Sequence, residues 1–207
     1  MNKKPKIILF DVDGVLIRPP HYFGLVLEKK GYPNAHSLLN EFYAKNYGKQ
    51  CAIGEMDILK KIKPFLEKFN WTGTVREFLN EQFTFESKYL DQKFLDLIKN
   101  FRKKGLYICL ATDQEKERAK FLLEELDWQK IFNDAFISCH IGARKCVPEF
   151  WEYVLEKLQN KFSNLEPSEI LFFDDKQENI DQARAFKINA HLFTTKEKFT
   201  NEIKIIN

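Results

Sequence analysis

No apolar run in this 207-residue sequence approaches the roughly 20 residues that span a bilayer, so no membrane-crossing helix is expected. The apolar segment near the basic N-terminus breaks at Asp11, too early for a signal peptide. The four cysteines show neither CxxC spacing nor disulfide-scaffold density, which excludes a zinc ribbon or a disulfide-stapled fold. They fit reduced thiols in a cytoplasmic protein. The formal charge is only +3, and Lys and Arg are scattered, which argues against a nucleic-acid binder. Repeats and low-complexity segments are absent.

What is present is organised around Ile7-Ile8-Leu9-Phe10-Asp11-Val12-Asp13-Gly14-Val15. An apolar run with β-branched and aromatic members reads as a strand buried on both faces, as in a parallel sheet. Chain leaving such a strand enters the crevice where ligands bind in open α/β sheets. Asp11 and Asp13 are therefore expected at its mouth, where two carboxylates can share a hard cation such as Mg2+. Taken alone, the same residues also make an ordinary Asp-Gly turn.

From about Arg18 to Leu90 only helical periodicity follows. Helices are expected over His21–Lys30, Ser37–Tyr47 (ended by Gly48) and from Met56 to Phe69. A fourth starts at Thr74, with Glu77 completing a capping box. About seventy helical residues are too many for one βα connection, so an inserted helical subdomain is expected. Strand–helix alternation then resumes: helix Lys93–Lys104, strand Leu106–Ala111, helix Glu115–Leu126, strand Ala135–Ser138, helix Pro148–Leu158, strand Ile170–Phe173, helix Gln177–Phe186, strand Ala190–Phe193, and a tail helix from Lys198. This pattern makes an α/β fold, a doubly wound, mostly parallel five-stranded sheet. Asp11, Asp13, Thr112, Lys145, Asp174 and Asp175 fall at or just beyond strand ends, which in a parallel sheet open on one edge. Two adjacent acids ending Ile170-Leu171-Phe172-Phe173 are costly to bury without a partner. A helix cap explains one of them; a metal explains both.

At this point the sequence resembles the haloacid-dehalogenase-like hydrolases, in the branch with a helical cap inserted after the first strand. The family's D-x-D-G-[VT]-L motif matches Asp11-Val12-Asp13-Gly14-Val15-Leu16. Thr112 matches the second-motif Ser or Thr, Lys145 the third-motif Lys, and Asp174-Asp175 with Asn179 the fourth motif. The resemblance implies a core of residues 1–17 and 91–207 with a cap of residues 18–90. It implies a Mg2+-dependent phosphatase acting on a small phosphorylated metabolite, such as a sugar phosphate, through an aspartyl-phosphate on Asp11. Asp13 would protonate the leaving alcohol and then take a proton from water. Mg2+ would sit among Asp11, the Asp13 carbonyl, Asp174 and Asp175, with Asn179 orienting the acidic pair. Thr112, Asp113 and Lys145 would hold the phosphoryl oxygens. A β-phosphoglucomutase-like enzyme, or a protein that binds phosphorylated ligands without turnover, stands as the alternative. Monomer and homodimer both remain open.

Two positions depart from the family pattern. Relatives commonly place Asn after the second-motif hydroxyl; here it is Asp113, whose carboxylate would repel phosphate unless it turns away or offers only its N–H. Relatives often show Lys-Pro-Asp-Pro at the third motif, against Lys145-Cys146-Val147-Pro148 here, which is expected to loosen the loop carrying Lys145. Residues 18–90 hold 11 Lys/Arg and 8 Asp/Glu, the whole net excess of the chain, which suits an anionic substrate. His21 and Tyr22, near the hinge, are candidates for lining the entrance.

Overall fold

The computed structural model describes residues 5–196 and 198–199. Strand β1 (Ile7–Phe10) is followed by helices α1 (Phe23–Lys29), α2 (Ala35–Phe42), α3 (Ile58–Lys61), α4 (Lys63–Lys68) and α5 (Val75–Ser87). Then come α6 (Gln92–Lys103), β2 (Tyr107–Thr112), α7 (Lys116–Lys120), β3 (Asp134–Ile137), α8 (Ser138–Ile141) and α9 (Pro148–Lys161). Strand β4 (Ile170–Asp174), α10 (Gln177–Ala185) and β5 (Asn189–Leu192) complete the described elements. The expected tail helix falls mainly on residues 200–207, outside the described residues.

The five strands are all parallel, in the order β3-β2-β1-β4-β5. Phe10 pairs with Leu110 on one side and Phe173 on the other. Alternation along β1 divides the core, because successive side chains point to opposite faces. Ile8 and Phe10 join Leu110, Phe173 and the α6 residues Phe94, Ile98 and Phe101. Ile7 and Leu9 join Phe172, Trp151 and Val154 of α9, and Ile180 of α10. Strand order reverses at β1, so the crevice beyond β1 and β4 is the topological switch point of the sheet.

Helices α1 to α5 share a third apolar cluster that includes Phe23, Leu27, Phe42, Ile62, Leu66, Phe69 and Phe78. Phe121, just after α7, joins it and packs 5.5 Å from the Phe83 ring. Two helices differ from expectation. The helix expected from Met56 to Phe69 is broken into α3 and α4, because Pro64 lacks an N–H and sits in a first turn. The helix expected to stop at Gly48 continues through a wider π-type segment, Tyr43–Cys51. It carries two half-buried anchors: Tyr43 donates to Gln82 Oε1 at 2.9 Å, and the Tyr47 hydroxyl accepts from the Glu115 N–H at 3.3 Å. Ser138, expected to end β3, opens α8 and donates to the Ala52 carbonyl. All four cysteines are free thiols, and no helix among the described residues is long and apolar enough to cross a membrane.

The Thr74–Glu77 capping box forms in both directions at the start of α5. Thr74→Ala should therefore lower stability by about 1 kcal/mol, read as a lower urea midpoint, whereas Thr74→Ser should sit close to the parent.

Candidate active site

Asp11 leaves β1 with its N–H bonded to the Phe173 carbonyl at 3.0 Å, which sets it beside the end of β4. Carboxylate oxygens of Asp11, Asp174 and Asp175 lie within 4.8 Å of one another. Lys145 Nζ stands between two of these acids, 2.6 Å from Asp11 Oδ1 and 2.6 Å from Asp174 Oδ2. It is 1% exposed, and Asp174 is fully buried. Asn179 Nδ2 donates to both Asp174 oxygens, at 3.1 and 3.0 Å, and the Lys176 N–H donates to Asp174 Oδ1 at 2.8 Å. Gly14 closes the turn with φ +84°, and a Cβ there would fall 2.2 Å from Asp175 Oδ2. Glycine thus serves twice: it takes the left-handed backbone and leaves room for the acid.

One ammonium does not balance three carboxylates. Burial pushes the Asp11 carboxyl up to about 8; Lys145 pulls it down, and Asp174 and Asp13 push it up again. Burial and then Asp174 raise Asp175 as well. Burial alone would favour neutral Lys145, but Asp11, Asp174 and Asp113 outweigh it and hold the ammonium charged. An all-oxygen donor set with excess negative charge fits a hard divalent cation. Asn179 Oδ1, a buried acceptor without a partner beside Asp174, adds a further polar atom to this surrounding. Asp11, Asp174 and Asp175 are the residues that could hold such an ion.

The loop carrying Lys145 is not loose, contrary to expectation. Asp113 Oδ1 accepts from the Lys145 N–H at 3.0 Å, and Asp113 Oδ2 accepts from Arg144 Nε at 3.0 Å. Trp151 Nε1 donates to the Lys145 carbonyl at 2.7 Å. The Asp113 carboxylate is thus engaged by the loop, which answers the repulsion expected at that position. The two departures from the family pattern compensate each other: an acid after Thr112 supplies the brace that the altered loop lacks.

Asp13 points elsewhere. Its side chain is 57% exposed and stands outside the three-carboxylate group. Gln114 Nε2 donates to Asp13 Oδ2 at 2.8 Å and to Thr112 Oγ1 at 3.0 Å, while Arg118 Nη2 lies 3.4 Å from Asp13 Oδ1. Thr112 is fully buried at the end of β2. Tyr22 is exposed and stacks on His36 at 5.5 Å; neither Tyr22 nor His21 joins the acidic group or its hydrogen bonds among the described residues. Gln114, Glu115 and Arg118 are all but inaccessible and were not legible as site residues. Asp113 to Arg118 is uniformly polar, the pattern of a solvated helix start; only its place after a strand end hinted otherwise.

If the acidic group holds Mg2+, adding the ion should raise the Tm. Gly14→Ala displaces Asp175 and should weaken magnesium binding by about tenfold or more in calorimetry. Lys145→Met removes the counter-charge of two buried acids and should cost about 3–5 kcal/mol of stability in metal-free buffer.

A family model described as haloacid dehalogenase-like hydrolase matches residues 5–187. Among solved structures, a HAD family enzyme from Bacteroides thetaiotaomicron is 18% identical, with a TM-score of 0.76 over 97% of this chain and 99% of that one. The wild-type form of that enzyme was also crystallised with magnesium and inorganic phosphate. A predicted HAD-like hydrolase from Porphyromonas gingivalis is 16% identical, with a TM-score of 0.73 over 99% of this chain and 98% of that one. Drimenol cyclase drtB of Aspergillus calidoustus is 27% identical over 121 residues, 57% of this chain but only 22% of that much longer protein. With its model matched across nearly the whole described chain, this protein belongs to the haloacid dehalogenase-like hydrolases.

Proposed function

We propose that this hydrolase is a Mg2+-dependent phosphomonoesterase acting on a small phosphorylated metabolite, with residues 18–90 as a helical cap over a core of residues 1–17 and 91–207. The observation that carries the proposal is the division of labour between two neighbouring acids. Asp11 lies in the charged cluster with Lys145, Asp174 and Asp175, while the Asp13 carboxylate faces away from it and stays accessible. A nucleophile and a separate acid two residues apart are what ester cleavage with an alcohol leaving group needs. A halide leaves without a proton, so dehalogenation gives Asp13 no role.

An Asp11 oxygen attacks phosphorus, and the bond from phosphorus to the alcohol oxygen breaks. Asp13 gives its proton to that oxygen, and the alcohol departs. Water then attacks phosphorus, loses a proton to Asp13, and Asp11 leaves as carboxylate with release of phosphate. Lys145 offsets charge on Asp11 and on the phosphoryl oxygens throughout, and the Thr112 hydroxyl and the Asp113 N–H would hold those oxygens. Bound at Asp11, Asp174 and Asp175, Mg2+ would reduce repulsion between the two anions and stabilise the charge of transfer. The magnesium and phosphate complex of the Bacteroides enzyme supports this choice of ion and group. The hold that Asp113 has on the Lys145 loop supports a working catalytic site over one that only binds phosphorylated ligands.

A screen of generic and metabolite phosphate esters with Mg2+ should detect release of inorganic phosphate, and Asp11→Asn should abolish it. Equal rates from the parent and Asp11→Asn would remove the mechanism. Isomerised sugar phosphate in place of free phosphate would make the protein a phosphomutase.

A further inference from the structure

The segment after β2 buries three polar residues in a row of contacts that the chemistry above does not use. Glu115 caps α7, accepting from the Glu117 and Arg118 N–H groups at 2.6 and 2.7 Å. Gln114 is 2% exposed and anchored through its own N–H, which donates to Ser138 Oγ at 2.9 Å. Arg118 is 2% exposed, and its guanidinium is gripped by aromatic rings, 4.9 Å from the Phe83 centroid and 5.6 Å from that of Phe121. Arg118 Nη2 reaches two carboxylates of different origin. Glu86, on α5 of the helical insertion, is 3.1 Å away, and Asp13, at the end of β1, is 3.4 Å away. Nη1 is buried without a partner, so the group is not placed for its own hydrogen-bonding comfort.

Asp13 is by contrast mostly exposed, and an exposed carboxylate on a turn would ordinarily sample several rotamers. Here both of its oxygens meet donors on buried residues, Gln114 Nε2 at Oδ2 and Arg118 Nη2 at Oδ1. Each oxygen keeps a second lone pair for a proton. We infer that Gln114 and Arg118 are positioning residues that aim the Asp13 carboxyl at the leaving-group oxygen, with Glu86 fixing Arg118 from the helical insertion. The inference rests on the phosphatase proposal and concerns one step only: transfer of the Asp13 proton to the alcohol oxygen as the bond from phosphorus to that oxygen breaks.

That step can be isolated by leaving group. 4-Nitrophenolate leaves as a stable anion and needs little protonation, whereas an alkoxide needs the proton. The quantity to measure is kcat/KM, which covers only steps up to departure of the leaving group. It should be compared for 4-nitrophenyl phosphate and the alkyl phosphate turned over fastest in the screen. General acids contribute about 10²- to 10⁴-fold, so in Arg118→Met the alkyl-to-aryl ratio should fall by about tenfold or more. The same fall is expected in Arg118→Met/Glu86→Gln, which leaves no unpaired buried acid. Placed on an Asp13→Asn background, Arg118→Met should not lower the ratio again, because the group it aims is already disabled. If Arg118→Met does not fold, Gln114→Met and Arg118→Lys give the same ratio test.

A purely structural role would lower both esters by one factor; that result overturns the inference and leaves the phosphatase proposal standing. So does a second fall in the ratio on the Asp13→Asn background. Release of phosphate from neither ester by the parent protein overturns the phosphatase proposal and this inference with it.

Discussion

Lys145 sits between Asp11 and Asp174, and the rest of the site is arranged around the need to keep that ammonium there. Both acids terminate strands at the centre of a parallel sheet, where burial penalises charge. A carboxylate in such a place becomes neutral or finds a partner, and the loop after α8 delivers one. Asp113, Arg144 and Trp151 hold the loop backbone on both sides of Lys145. Even so, three acids face one lysine, and the remaining imbalance is what makes a divalent cation chemically apt.

The order of the strands decides where this happens. β1 lies between β2 and β4, so the chain diverges on the two sides of Asp11 and leaves a crevice there. Gly14 lets the first turn curl against Asp175 without a side chain between them. The segment after β2 closes the other side, linking Asp13 to α5 through Arg118 and Glu86. Two kinds of polar burial thus flank one turn: a charged cluster behind Asp11 and a hydrogen-bonded frame behind Asp13.

Much of this is legible in the sequence. The apolar run into Asp11 and the run into Asp174 read correctly as buried strands because nothing polar interrupts them. The run of helices between β1 and β2 followed from periodicity, although Pro64 split one expected helix and the π-type segment outran Gly48. Residues 114–118 were not legible. A polar stretch with a good cap looks the same whether it faces water or a neighbouring carboxylate. Asp113 was the more instructive case. Its charge was visible and its cost could be stated, but the partners that relieve it, Arg144 and the Lys145 N–H, lie some thirty residues further along the chain.

The sequence by itself determined most element types, the parallel sheet and the placing of Asp11, Thr112, Asp174 and Asp175 at strand ends on one edge, because hydrophobic period and strand-end position are local properties. Only the tertiary structure decided which way each carboxylate points. Asp11 and Asp13 are two residues apart and chemically identical, yet one faces a lysine and the other a glutamine and an arginine. Side-chain direction and charge partner are fixed by segments far apart in the chain, and no local pattern encodes that meeting.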